Sequence, residues 1–324
     1  MNTTSSAMND PQSVAPTAAV PSISQATLLY WSIRRELWEN RSIYIAPIAA
    51  TIVFLVGYLL ASTHLGIKMF QVSGGDPDAA RDDVFVHALN ANAAIVIGVS
   101  AIVGFFYSLD ALYSERRDRS ILFWKSLPVS DLITIASKVA VPLVILPAVA
   151  FMVIVATQFF MLLMGSAVLA AHGQSVGELW SAASILTTWA VLLYMMLAMS
   201  LWYAPLVGWL LLVSAWAQRL AILWAILLPF ALCMIEKIGF NTVHLFTVVG
   251  QRIGGVFKTA FDSEAVNRVF TEGATSNPHS FEGIFGLTPN PVQFISSPAL
   301  WIGLIVAVAM FAGAIRLRRA REAL

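Results

Sequence analysis

YSERRDRSILFWKSLPVSD, residues Tyr113 to Asp131, stands between two long apolar stretches and holds Arg116, Arg117, Arg119 and Lys125 beside Glu115, Asp118 and Asp131. Almost everything on either side of it is suited to lipid. A dense cluster of both signs, followed by the aromatic pair Phe123 and Trp124 and a Leu-Pro stop, predicts a short helix docked on another protein's surface. Pro128 ends that helix and turns the chain back.

Composition supports this contrast. Of the 324 residues, 58% are hydrophobic and 11% are charged, against about 25% charged in an average soluble domain. The expected class is an all-α, multi-pass membrane protein. The net charge of +1 says little, because in such a chain the placement of basic residues matters more than their sum. The lone Cys233 lies in an apolar run and is read as a packing residue.

Upstream of the cluster, residues 1–23 are rich in Ser, Thr, Ala and Pro and read as a disordered cytoplasmic tail. From about residue 24 to 41 the chain mixes Leu28, Leu29, Trp31, Ile33 and Leu37 with Arg34, Arg35, Glu36, Glu39 and Arg41. This predicts an interfacial amphipathic helix, with Tyr30, Trp31 and Trp38 at headgroup depth and the charges facing water. It is either a plain membrane anchor or an additional cytoplasmic contact through Arg34, Arg35, Glu36 and Trp38.

A spanning helix needs about 20 mostly apolar residues. Six stretches qualify: Ser42–Leu65, Ala91–Leu112, Ser137–Met164, Leu179–Tyr203, Leu220–Ile238 and Ala299–Leu317. The apolar run Pro205–Ala217 is too short to cross alone and is read as a kinked extension or a re-entrant piece, with Pro205 breaking the helical ladder. A seventh span there would invert the topology downstream. With six spans and both termini inside, thirteen of the nineteen Lys and Arg residues are cytoplasmic, as the positive-inside rule requires. The Tyr113–Asp131 segment then faces the cytoplasm.

The longest external piece, 239–298, opens with NTVHLFTVVGQRIGGVFKTAF, whose apolar spacing suggests one amphipathic or re-entrant helix. Its second half is rich in Gly, Pro and Asn and loop-like. Sixty residues are long for a connector, so it is either a small cap over a pathway or a passive loop.

No catalytic signature emerges. Gly254, Gly255, Lys258 and Thr259 only approximate a phosphate-binding loop, because the lysine does not adjoin the second glycine. ATP hydrolysis by this chain is not expected. His64, His87, His172, His244 and His279 are scattered without ligand spacing, so no metal site is expected. Polar groups within the spans are few: Gln158, Ser166, Ser184, Thr187, Thr188 and Ser200, with Asp110 and Glu236 near opposite water boundaries. Without a ladder of carboxylates, an ion-driven carrier is disfavoured.

The segment Glu115-Arg116-Arg117-Asp118-Arg119-Ser120, the tetrad Ile121 to Trp124, and Lys125-Ser126-Leu127-Pro128-Val129-Ser130 resembles the motif after the second span in permease subunits of ABC-2-type exporters. The six-span layout, the N-terminal amphipathic helix and the long insertion before the last span are similar too. Arg119 stands where the family commonly has Gly. The resemblance implies an ABC-2-type transmembrane domain over 42–324, paired with a second permease copy in a bacterial inner membrane. It also implies separate ATPase subunits, which bind ATP and Mg, and no cofactor in this chain and no nucleic-acid partner. Residues 114–128 would be the coupling helix, with Glu115, Arg116, Arg117, Asp118, Arg119, Phe123, Trp124, Lys125, Leu127 and Pro128 at the ATPase interface. Phe123 and Trp124 would supply grip, and the charges register. A non-transporting scaffold or maturation component of the same fold is the alternative; an enzyme acting on lipid lacks a visible catalytic pair.

Overall fold

The computed structural model describes residues 24–72, 77–117, 130–171, 176–177, 180, 185–267 and 286–320. The expected N-terminal tail lies outside these residues, as do Asp118, Arg119, Phe123, Trp124, Lys125, Leu127 and Pro128. Among the described residues the protein is helical throughout, save one isolated bridge between Phe261 and Pro289. Six helical segments are long and apolar enough to cross a membrane: Ser42–Leu60, Phe85–Arg117, Asp131–Ala170, Ile185–Trp216, Ala221–Phe240 and Pro298–Ala320. This is a multi-pass membrane protein, and its many exposed Leu, Ile, Val and Phe side chains make a lipid-facing surface.

Helix α1 (Gln25–Glu39) starts at Ser24, whose Oγ accepts from the Thr27 N–H at 3.2 Å, satisfying one of the first-turn donors. After a short turn the chain enters α2 (Ser42–Val72) and then α3 (Pro77–Asp110). The short α4 (Tyr113–Arg117) ends at the first root of the 118–129 segment. At its second root Ser130 caps α5 (Asp131–Ala140), and Asp131 adds negative charge to the first turn, which suits the helix dipole. A π-turn, Val141–Ile145, joins α5 to α6 (Leu146–Ala171). Pro142 lies in that turn and cannot donate to the helical ladder, so the widened register absorbs the fault. The third crossing therefore begins at Asp131, earlier than the sequence suggests.

Pro205 does not end a helix. α7 runs unbroken over Ile185–Trp216, so the stretch Pro205–Ala217 is the last part of the fourth crossing and no seventh span exists among the described residues. Packing explains the continuity. α7 is the most enclosed of the crossings, with Ala204, Pro205, Val207 and Gly208 buried, and neighbouring groups make up for lost backbone bonds. One turn before the proline, Arg252 Nη1 donates to the Trp202 carbonyl at 3.3 Å, the neighbour of the Leu201 carbonyl that loses its helical donor to Pro205.

α8 (Ala221–Phe240) returns beside α7, with Trp209 Nε1 donating to the Ala225 carbonyl at 3.1 Å. Beyond it the chain turns at Asn241, in the left-handed region with φ 51°, which Asn tolerates better than most residues. Two short helices follow, α9 (His244–Gly254) and α10 (Val256–Ala260). Hydrogen bonds fasten them to α7: Trp202 Nε1 and Tyr203 Oη donate to the carbonyls of Arg252 and Ile253 at 2.9 and 2.8 Å, while Tyr194 Oη donates to the Ala260 carbonyl at 2.8 Å. From Trp202 back to Tyr194 is about 12 Å along a helix. Between the two helices a Cβ on Gly255 would collide with the Gln251 carbonyl and come 3.2 Å from the Trp202 ring. The single helix expected there is thus two helices, and Val256, Ala260 and Phe261 from it are buried in the main core.

α11 (Ser263–Asn267) and α12 (Pro291–Ser296) complete this end, and α13 (Pro298–Ala320) makes the last crossing. α13 packs closely on α7 because glycines allow it. A Cβ on Gly208 would lie 3.2 Å from Met310 Cβ and 3.4 Å from the Ala307 carbonyl, and one on Gly313 would lie 3.2 Å from Leu212. Within a membrane, where apolar burial gives helices little reason to associate, such close backbone approach is a main source of attraction.

Candidate functional site: a buried ion-pair lock at one end of the bundle

The two roots of the 118–129 segment, helix α1 and the end of α13 meet at one end of the bundle. Glu36 of α1 is 1% exposed and Lys138 of α5 is 2% exposed. Lys138 Nζ lies 3.0 Å from Glu36 Oε1 and also 3.0 Å from Glu115 Oε1. Arg318 Nη1, from α13, donates to Glu115 Oε2 at 3.2 Å, and Arg318 Nε lies 3.1 Å from Asp131 Oδ1. Arg35 Nη2 sits 2.9 Å from Glu36 Oε1 and 3.4 Å from Glu115 Oε1. Tyr107 of α3 donates its hydroxyl to Glu36 Oε2 at 2.9 Å. Four remote stretches of chain share one network.

Electrostatics explains why these groups can be buried. Glu36 and Glu115 supply two buried negative charges, and Lys138 and Arg318 two buried positive ones, so the buried set is neutral. Burial pushes the Glu36 carboxyl up, but the Lys138 ammonium, the nearby Arg35 and the hydrogen bonds from Lys138 and Tyr107 outweigh it. The net effect holds Glu36 below the usual carboxylate range, ionised at neutral pH. Such a pair contributes little net stability over an apolar replacement, yet losing one member costs about 3–5 kcal/mol. Its main effect is to fix geometry.

The first root of the segment is fastened differently. Ser214 Oγ, near the end of α7, accepts from the backbone N–H groups of Leu112 and Tyr113, both at 3.0 Å. Arg116 donates to the Ser214 carbonyl and, at 2.9 Å, to the Ala217 carbonyl. A guanidinium at a helix C-terminus satisfies carbonyls that have no partner within the helix and complements its dipole. Arg117 lies over the Tyr113 ring, 5.9 Å from its centroid.

One expectation changes here. The charges of α1 do not all face water, since Glu36 is buried and Arg35 turns toward it; Lys138 of α5, Arg35 itself and the Tyr107 hydroxyl offset this burial. Glu115 and Arg116, expected at the ATPase interface, also make bonds inside the chain. Arg34 and Trp38 remain on the outer face of α1, where the Arg34 guanidinium lies 4.9 Å from the Trp38 ring centroid. Lys138, Arg318 and Tyr107 were not singled out by the sequence. One signal was available: a lysine in the apolar run ITIASKVAV requires an anion beside it.

Next to the lock a groove of about 630 Å³ is lined by Asn40, Phe106, Tyr107, Asp110, Leu220 and Ile222, among others. Asp110 is exposed in it. At the far end of the bundle Glu236 is half-buried and caps α9, accepting from Thr242 Oγ1 and from the N–H groups of His244 and Leu245 at 2.7–2.8 Å. Comparison with family models, curated proteins and solved structures finds no match to this chain.

Proposed function

We propose that this chain is the permease subunit of an ATP-driven exporter of the ABC-2 type, working as a pair and driven through residues 114–128 by separate ATPase subunits. The observation that carries this reading is the fastening of both roots of the 118–129 segment. Arg116 and Ser214 tie one root to α7, and Asp131 and Lys138 tie the other to α13 and α1. A force applied to a segment so fastened reaches three further helices at once, whereas a loosely hung loop would absorb it. The motif in that segment supplies the rest of the argument, since its charges and the pair Phe123 and Trp124 suit a protein surface.

On this reading the locked end faces the cytoplasm of a bacterial inner membrane, and ATP and Mg belong to the partner. The adjacent groove, mostly apolar with one exposed carboxylate at Asp110, suits an amphiphilic cargo. Affinity purification of the full chain from membranes tests the reading. A soluble P-loop ATPase should copurify and hydrolyse ATP, and Phe123→Ala or Trp124→Ala should release it. Retention of no ATPase by the wild-type chain, or unchanged assembly and hydrolysis in both variants, would overturn the assignment.

A further inference from the structure

The lock fixes the rotation of α1 and so determines which residues it turns away from the bundle. With Glu36 at the centre of the buried face, Thr27, Trp31, Arg34 and Trp38 project from the opposite side at helical spacing. Trp31 and Trp38 are 54% and 67% exposed, and the Arg34 guanidinium lies between them, 5.0 Å from one ring centroid and 4.9 Å from the other. Tyr30 packs edge-on against Trp31, with ring centroids 5.6 Å apart.

We propose that this outward face of α1, with Arg34 held between Trp31 and Trp38, binds the phosphate of an anionic phospholipid in the leaflet at the locked end of the bundle. Three observations argue for lipid. The face ends just before Ser42, where the first crossing begins, so it lies at the membrane boundary. Indole rings favour the headgroup layer, where an apolar body and a polar N–H are both accommodated. No acid among the described residues pairs with Arg34, whereas Arg35 on the inner side contacts three carboxylates.

The chemistry then favours phosphate. Rings against the guanidinium leave its edge of N–H donors as the part open to a ligand, and that planar fork matches two oxygens of a phosphodiester. Flanking aromatic rings also limit the rotamers of the long side chain, reducing the ordering needed on binding. This inference does not depend on the transport reading, because it concerns a different face of α1.

Native mass spectrometry of the full-length protein in detergent, with equimolar phosphatidylglycerol and phosphatidylcholine of the same acyl chains, provides the test. The wild-type protein should retain phosphatidylglycerol preferentially, and Arg34→Ala should reduce that preference about fivefold, the scale of one basic residue at an anionic surface. Arg34→Lys, which keeps the charge but not the fork, should lose most of it as well. Arg41→Ala, removing an exposed arginine in the next turn, should reduce it clearly less than Arg34→Ala does. An undiminished preference in Arg34→Ala or Arg34→Lys, or an equal loss in Arg41→Ala, would overturn the proposal. So would an unchanged lipid preference together with loss of a copurifying soluble protein, which would make the face a protein contact.

Discussion

Lys138 bridges two carboxylates from opposite parts of the sequence, Glu36 and Glu115, each at 3.0 Å. Lys138→Met would leave both acids buried with less than their full complement of cations. It should cost about 3–5 kcal/mol, as for other broken buried pairs, seen as a large fall in unfolding temperature in detergent. Glu36 makes a second, pH-dependent prediction. Its folded pKa is held below the unfolded value, so its contribution is fully present above the unfolded value and is lost as pH falls through the folded one. Protease access to α1 should therefore stay low through neutral and mildly acidic pH and rise only below the usual carboxylate range. In Glu36→Gln that acid-dependent rise should shrink. These residues also show where sequence reading stops. The charges of α1 were visible, but the inward direction of Glu36 depended on Tyr107 and Lys138, about seventy and about a hundred residues away.

At the scale of elements, the contact between α7 and α13 rests on absent side chains. Gly208→Val would add a Cβ at 3.2 Å from Met310 Cβ and two methyl groups beyond it. Overpacking of this kind costs about 1–3 kcal/mol. Gly57→Ala, where a Cβ would meet nothing within 4 Å, should be neutral or slightly stabilising through its better helix propensity. The two unfolding temperatures should separate accordingly, and equal shifts would mean that close packing at Gly208 is unimportant. Six crossings were legible because apolar length is a local property. The continuity of α7 through Pro205 was legible only as one of two readings, an extension of the span or a re-entrant piece, because the choice depends on the burial of that helix. The helix pair α9 and α10 was legible in part: its apolar spacing suggested a helix, but the break falls at Gly255, where the Trp202 ring approaches closely.

For the whole molecule, the central question is how the Tyr113–Asp131 motif divides its labour. Its sequence presents one continuous run of contact residues, but the fold splits that run. Glu115 and Arg116 bond to α5, α13 and the end of α7, whereas the pair Phe123 and Trp124 belongs to the span between the roots. Under the proposed function the inner residues transmit force and the outer ones grip the ATPase. Arg116→Ala should then leave the ATPase bound, because its guanidinium is spent on the Ser214 and Ala217 carbonyls. It should, however, weaken the response of ATP hydrolysis to cargo in reconstituted vesicles, since the first root would be less firmly tied to α7. Trp124→Ala should do the reverse at the first step and abolish assembly. Measuring copurification and hydrolysis side by side separates the two roles, and release of the ATPase by Arg116→Ala would return that arginine to the partner surface that the sequence alone suggested.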